Sequence, residues 1–158
     1  MLDEIDLQIL TIVQQNARIT NADIARQIEM APSAVLERIR KLEASGMIQG
    51  YEARLNAPDL DLGLLAFIFV RTDERGGAPE TAQRLAEIPA VQEVHRVAGE
   101  DCYLIKVRTA NTEALDRLLR EDISPIEWIR STRTTIVLST VKETARLPIP
   151  DREVDYGN

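Results

Sequence analysis

The sequence predicts an α+β protein of two domains, an N-terminal helix-turn-helix (winged-helix-like) domain followed by a C-terminal ferredoxin-like βαββαβ domain. Apolar residues recur at helical spacing through three successive segments before residue 49. Beyond residue 62 the pattern changes to apolar runs and alternating stretches with two helical segments between them. A connector rich in polar and punctuating residues separates the two patterns.

In the first segment Leu2, Ile5, Ile9, Ile12 and Val13 lie on one helical face, with Asp3, Glu4, Asp6, Gln8 and Gln14 between them. The stretch "ITNADIARQI" opens on Thr20, a residue whose hydroxyl can cap a helix, and buries Ile24, Ala25 and Ile28. After a tight turn over residues 29–31, Pro32 suits the first position of a third helix because its missing N–H is not needed there. Val35, Ile39 and Leu42 form the inward stripe of that helix, and Gly46 can adopt the left-handed conformation that ends it after Ser45. Two short helices joined by a tight turn, the second with a polar outer face, match helix-turn-helix geometry. That outer face carries Ser33, Glu37, Arg38, Arg40 and Lys41, and it meets either water, with pairs such as Glu37–Lys41 along the helix, or DNA.

Residues 50–62 form the connector, with "GYEARLN" extended and Pro58 and Gly63 marking the passage to the second domain. There "LLAFIFVRT" reads as a buried strand, Gly76-Gly77 as a loop and "PETAQRLAEI" as a helix opened by Pro79. Strands "VQEVHRV" and "CYLIKVRT" flank "AGED", "NTEALDRLLRED" is a helix capped by Asn111 or Thr112, and "IEWIRSTRTTIVLST" supplies one or two further strands. The expected domains are therefore residues 1–49, the connector 50–62, the ferredoxin-like domain 63–147 and a C-terminal tail 148–158. Two helices cover one face of such a sheet, and the apolar residues left on the other call for a partner subunit, most economically a homodimer.

Composition narrows the functional classes. A net charge of −7 argues against indiscriminate binding to nucleic acid, so any DNA site must be local. One histidine, His95, and one cysteine, Cys102, leave too few ligands for a zinc site of the usual kind and too few partners for Cys/His catalysis. The acidic start "MLDEID" lacks the features of a secretion signal, and "LGLLAFIFV" is far shorter than the ~20 residues of a membrane-spanning helix, so a cytoplasmic protein is expected. Bland readings suit the singular residues: His95 on a strand surface, Cys102 as a small hydrophobe, Trp128 at an interface.

The segments "LDEIDLQIL", "ARITNADIARQI", "VLERIRKLEASGMIQGY", "GEDCYLIKV" and "TRTTIVLSTVKE", in this order and spacing, resemble the leucine-responsive and asparagine-sensing (Lrp/AsnC, feast/famine) regulators. The resemblance covers the chain up to about Leu147. It implies a helix-turn-helix domain that binds double-stranded DNA, and a ferredoxin-like domain that dimerises, assembles dimers into tetramers or octamers and binds an amino-acid effector between dimers. The third helix would then enter a major groove, with Ser33, Ala34, Glu37 and Arg38 as readers of bases and Arg40 and Lys41 on phosphates; Arg54 is a weaker phosphate candidate. The implied effector site comprises Gly99, Glu100, Asp101 and Tyr103 with the strand around Thr132, Thr134 and Thr135, where backbone N–H groups would hold a carboxylate and an acid an ammonium.

Two departures from the family pattern stand out. Ala31 occupies the position before the recognition helix where relatives carry a capping serine or threonine, a loss of ~1 kcal/mol if nothing compensates. Cys102 occupies the position in "GEDCY" where relatives often place an aspartate. The leading expectation is a sequence-specific DNA-binding transcriptional regulator responsive to an amino acid or related metabolite, with no catalytic residues, cofactor or metal. A second reading keeps the architecture as a metabolite-binding regulatory protein with weak or no DNA binding. A small ferredoxin-like enzyme using Glu100 and Asp101 ranks last, since adjacent carboxylates in a strand-like turn point apart.

Overall fold

Asp3 starts the first helix, accepting the Asp6 N–H at 2.8 Å while the Asp6 carboxylate accepts the Asp3 N–H at 3.2 Å. This reciprocal capping box sets the beginning of α1, Glu4–Gln15, in a computed structural model that describes residues 2–73 and 79–149. The expected loop at Gly76-Gly77 and the tail from residue 150 on lie outside the described residues. Thr20 caps α2, Asn21–Gln27, as its spacing predicts, and α3 runs Pro32–Ala44. Between them Glu29 takes a left-handed φ of +55°, a conformation that costs a side chain other than glycine about 1 kcal/mol. Gly46, at φ +73°, turns the chain after α3.

Ile9, Ile24, Ala25, Val35, Ile39 and Leu42 form the buried centre of this three-helix unit, the positions selected by the helical periodicity. Residues 51–56 after it are extended but belong to no strand, so among the described residues no paired wing follows α3.

The second unit contains β1 (Leu64–Thr72), α4 (Pro79–Ala86), β2 (Val91–Arg96), β3 (Tyr103–Thr109), α5 (Thr112–Arg117) and β4 (Ile129–Ile136). Asn111 caps α5, which continues as a π-helical turn, Leu118–Ile123, and the last stretch yields one strand rather than two. The strand order β2-β3-β1-β4, antiparallel at every pairing, is that of the ferredoxin-like fold. Ala66, Ile68 and Val70 of β1 and Tyr103, Ile105 and Val107 of β3 pack with Leu85, Leu115 and Leu118 from the helical segments. Residues on alternate positions, among them Phe67 and Phe69, face the other way.

Among the described residues the two compact units are one within Leu55–Lys142 and one formed by residues 2–54 together with 143–149. Residues 143–147, placed by sequence with the sheet, thus return to the helical unit. Gln14 explains why: its amide donates to the Leu147 carbonyl at 3.2 Å and accepts the Leu147 N–H at 2.7 Å. Arg146 donates to the Gln15 carbonyl at 3.3 Å, supplying a cation to the end of a helix with none in its own last turn. Arg54 donates to the Glu143 carbonyl at 3.0 Å, so this candidate for phosphate is partnered within the protein.

Candidate nucleic-acid interface and effector site

At 100° per residue, α3 turns Val35, Ile39 and Leu42 inward and Ser33, Glu37, Arg40 and Lys41 outward, with Ala34 at the edge of the outward side. Lys41 pairs with Glu37 at 2.7 Å, one turn away, and its hydrogen bond pulls the Glu37 carboxyl below its usual pKa. Arg40 is exposed and has no hydrogen-bond or ion-pair partner among the described residues. No side chain caps the helix at Ala31. Ser33 does not compensate, so the amide groups of the first turn are left to solvent or to a ligand.

Arg38 departs from the expectation that it points outward. It lies on the flank turned toward α1 and donates to Asp3 at 2.8 Å and Asp6 at 2.7 Å, its side chain 28% exposed and that of Asp6 15%. Donating first to Asp3 and then to Asp6 raises the pKa of Arg38; the hydrogen bond that Asp3 accepts from the Asp6 amide, and then that from Arg38, lowers the pKa of Asp3. The carboxylates of the capping box thus have a second task, tying α3 to the start of α1. Two acids three residues apart in the first turn and a basic residue on the flank of α3 were the sequence signal for this tie.

In the sheet unit Gly99, at φ +128°, turns the chain between β2 and β3, and the backbone N–H groups of residues 98–101 have no hydrogen-bond partner among the described residues. Asp101 accepts from Arg133 at 3.0 Å, and the Arg133 guanidinium lies 4.1 Å from the centre of the Phe69 ring. Arg133 was not among the expected site residues, although its place opposite Phe69 puts it on the open face of the sheet. Glu100 is exposed and unpartnered among the described residues.

Not every expected effector residue joins this turn. Tyr103 is 2% exposed and belongs to the core beneath the helices. Thr132 and Thr134 pair with Val70 and Ile68 and share their helix-covered face, whereas Thr135 pairs with Phe67 on the open one. Cys102 packs against the core with its Sγ 3.7 Å from the Thr72 carbonyl, and His95 is an exposed strand residue 3.0 Å from Glu93. Trp128 is exposed.

A helix-turn-helix unit with an unpacked polar recognition face, followed in one chain by a ferredoxin-like unit, defines the architecture of a DNA-binding regulator. The comparisons agree. Residues 2–49 match the model of a winged helix-turn-helix DNA-binding domain, and residues 65–147 that of the Lrp/AsnC ligand-binding domain. The chain is 36% identical over 155 residues to the leucine-responsive regulatory protein of Escherichia coli K12 and to that of Salmonella typhimurium, covering 96% of this chain and 93% of each relative. Among solved structures it is similar to a Neisseria meningitidis transcriptional regulator in complex with L-Met (28% identity, TM-score 0.86, 94% of this chain and 97% of that one). It is also similar to Escherichia coli AsnC (27% identity, TM-score 0.86, 95% and 99%). The chain belongs to the Lrp/AsnC family of transcriptional regulators; its relatives are regulators, not enzymes.

Proposed function

We propose that the chain regulates transcription by laying α3 in the major groove, with Ser33, Ala34 and Glu37 at base edges and Arg40 and Lys41 on phosphates. The observation that carries this reading is the exposed outward side of α3, which carries Ser33, Glu37 and Lys41 and an Arg40 without a hydrogen-bond or ion-pair partner among the described residues. Arg38 leaves the set of readers because its charge is spent on α1. Binding measured by fluorescence anisotropy on the duplex upstream of the protein's own coding region tests the assignment. Arg40→Ala and Lys41→Ala should each weaken binding and reduce the steepness of the salt dependence by about one. Arg40→Ala should have the larger effect, since Lys41 already shares its charge with Glu37. Full affinity in both variants would remove α3 from the interface.

The regulator's effector is an amino acid or related metabolite held at the 98–101 turn. Support comes from the ligand-binding domain model and from relatives described by leucine response or by a complex with L-Met. The free N–H groups of the turn suit a carboxylate. With Asp101 engaged by Arg133, Glu100 is the acid available to an ammonium. A thermal-shift screen of the twenty amino acids identifies the ligand, and Glu100→Gln should then lower its affinity by one to two factors of ten, Asp101→Asn by less. A ligand bound equally well by Glu100→Gln would overturn this placement. The open sheet face, with Thr135 on it, joins two chains, and such dimers assemble further around the effector sites. No helix among the described residues is long and apolar enough to cross a membrane, which accords with a regulator working in the cytoplasm beside DNA.

A further inference from the structure

We propose that Arg133 is the cation that receives the effector's carboxylate, which makes the 98–101 turn one half of a site for a molecule carrying a carboxylate and an ammonium together. Its role rests on the effector lying at that turn, as proposed above. The strand order β2-β3-β1-β4 puts β1 between the turn, which leads into β3, and Arg133 on β4. Arg133 spans that gap: its guanidinium lies over the Phe69 ring of β1, 4.1 Å from the centre, and donates to Asp101 at 3.0 Å. The end of the turn is tied to β1 as well, since the Cys102 N–H donates to the Val70 carbonyl at 2.9 Å. Because an aspartate side chain is short, a guanidinium bonded to Asp101 stands beside the free N–H group of the same residue.

One bond to one carboxylate oxygen does not use up a guanidinium. Arg133 has five N–H donors in a planar fork, and beyond the bond to Asp101 they have no hydrogen-bond partner among the described residues. Its side chain is 64% exposed, which leaves the rest of the fork open to a ligand.

The charges around the turn decide which ligand. Asp101 keeps its charge beside Arg133, and the adjoining Glu100, exposed and unpartnered among the described residues, adds another. A simple carboxylic acid meets the guanidinium and the free N–H groups but also two like charges. A simple amine meets the two acids but also the guanidinium. In a molecule with both groups on one carbon each charge finds its opposite: the carboxylate on Arg133 and the turn's amides, the ammonium on Glu100 with Asp101 close by. An α-amino acid is the smallest molecule of this class.

Calorimetric titration of the full chain with each of the twenty L-amino acids, and with the carboxamide and the desamino analogue of every one that binds, tests the assignment at about pH 6.5, where an α-amino group is charged. Both analogues should bind at least tenfold more weakly than the parent amino acid. Arg133→Gln should weaken the parent about tenfold or more, as loss of a charge-assisted hydrogen bond does, and leave the carboxamide unchanged. Arg133→Lys, which keeps the charge without the fork, should retain part of the preference for the parent. Asp101→Asn breaks the same ion pair but keeps the guanidinium, so it should preserve that preference; its loss there, as in Arg133→Gln, would reduce Arg133 to a brace for the turn and overturn the proposal. Binding that is weakened by Glu100→Gln but keeps its full preference in Arg133→Gln would remove Arg133 and leave the effector turn standing. If no amino acid binds, or binding is untouched by both Glu100→Gln and Arg133→Gln, the effector turn falls and the role of Arg133 with it.

Discussion

Arg38→Ala should melt the helical unit early, with loss of DNA binding following from loss of structure. The substitution removes two charge-assisted hydrogen bonds to the first turn of α1 and leaves Asp6, whose side chain is 15% exposed, with an unpaired charge beside α3. Hydrogen bonds to charged groups contribute about 1.5 to 3 kcal/mol where shielded, and partial exposure reduces this, so a loss of about 2 kcal/mol is expected. In a unit this small such a loss lowers Tm by roughly 10 °C. Lys41→Ala is the control: its partner Glu37 is exposed and the pair is a surface one, so it should lose DNA affinity with little change in Tm. Calorimetry of both variants separates a structural arginine from a contact residue. Equal Tm for wild type and Arg38→Ala would refute the tie.

The same tie has a pH signature. Asp3 has a depressed pKa in the folded state, so its contribution is complete above the usual carboxylate value of 3.8 and disappears as pH falls through the lower folded value. Wild type should therefore lose stability more steeply than Arg38→Ala below about pH 4, and the two melting curves should converge in acid. Parallel curves down to pH 2 would mean that Arg38 stabilises the unit by packing rather than by charge.

The elements were legible because their signals are local. Thr20, Asn111, Pro32 and Gly46 announce helix ends through their own backbone chemistry, and "LLAFIFVRT" coincides with β1 to the residue. What local patterns do not encode is the use of a polar side chain by a distant segment. Arg38 reads as an outward cation until α1 is seen beside it, and Asp101 reads as a free acid until β4 brings Arg133 within 3.0 Å. Gln14 looks like an ordinary surface residue of α1, yet it binds the backbone of Leu147, far along the chain. Alternation along β4 puts Thr134 and Thr135 on opposite faces, so the expected grouping of Thr132, Thr134 and Thr135 in one site does not hold within a single chain.

If the open sheet face joins two chains as proposed, Phe67→Asp should break that dimer without unfolding the chain. Phe67 lies mid-strand in β1 on the face turned away from the helices, between Lys106 of β3 and Thr135 of β4, with Leu65 and Phe69 two residues to either side. This row makes a central apolar strip, widened by Leu104 opposite Phe69. Charged groups border it: Lys106 is held by Glu93 at 3.1 Å, its side chain 13% exposed, and Arg108 donates to Gln92 at 3.0 Å. An apolar centre with a polar border is how subunit interfaces are commonly built. An aspartate there would remove the ring from the centre of the strip and leave two carboxylates, its own and that of Glu93, sharing the single ammonium of Lys106, its cross-strand neighbour, when the interface closes. Burying an unpaired carboxylate between two subunits costs several kcal/mol, so the dimer Kd should rise by a factor of about 10³ or more. Because Phe67 is not part of the helix-covered core, far-UV circular dichroism should be unchanged. Affinity for a two-part operator should fall with dimerisation, since a lone chain spans one half-site. Sedimentation over a range of concentrations gives the answer: a variant that sediments as wild type at micromolar concentration would place the dimer interface elsewhere.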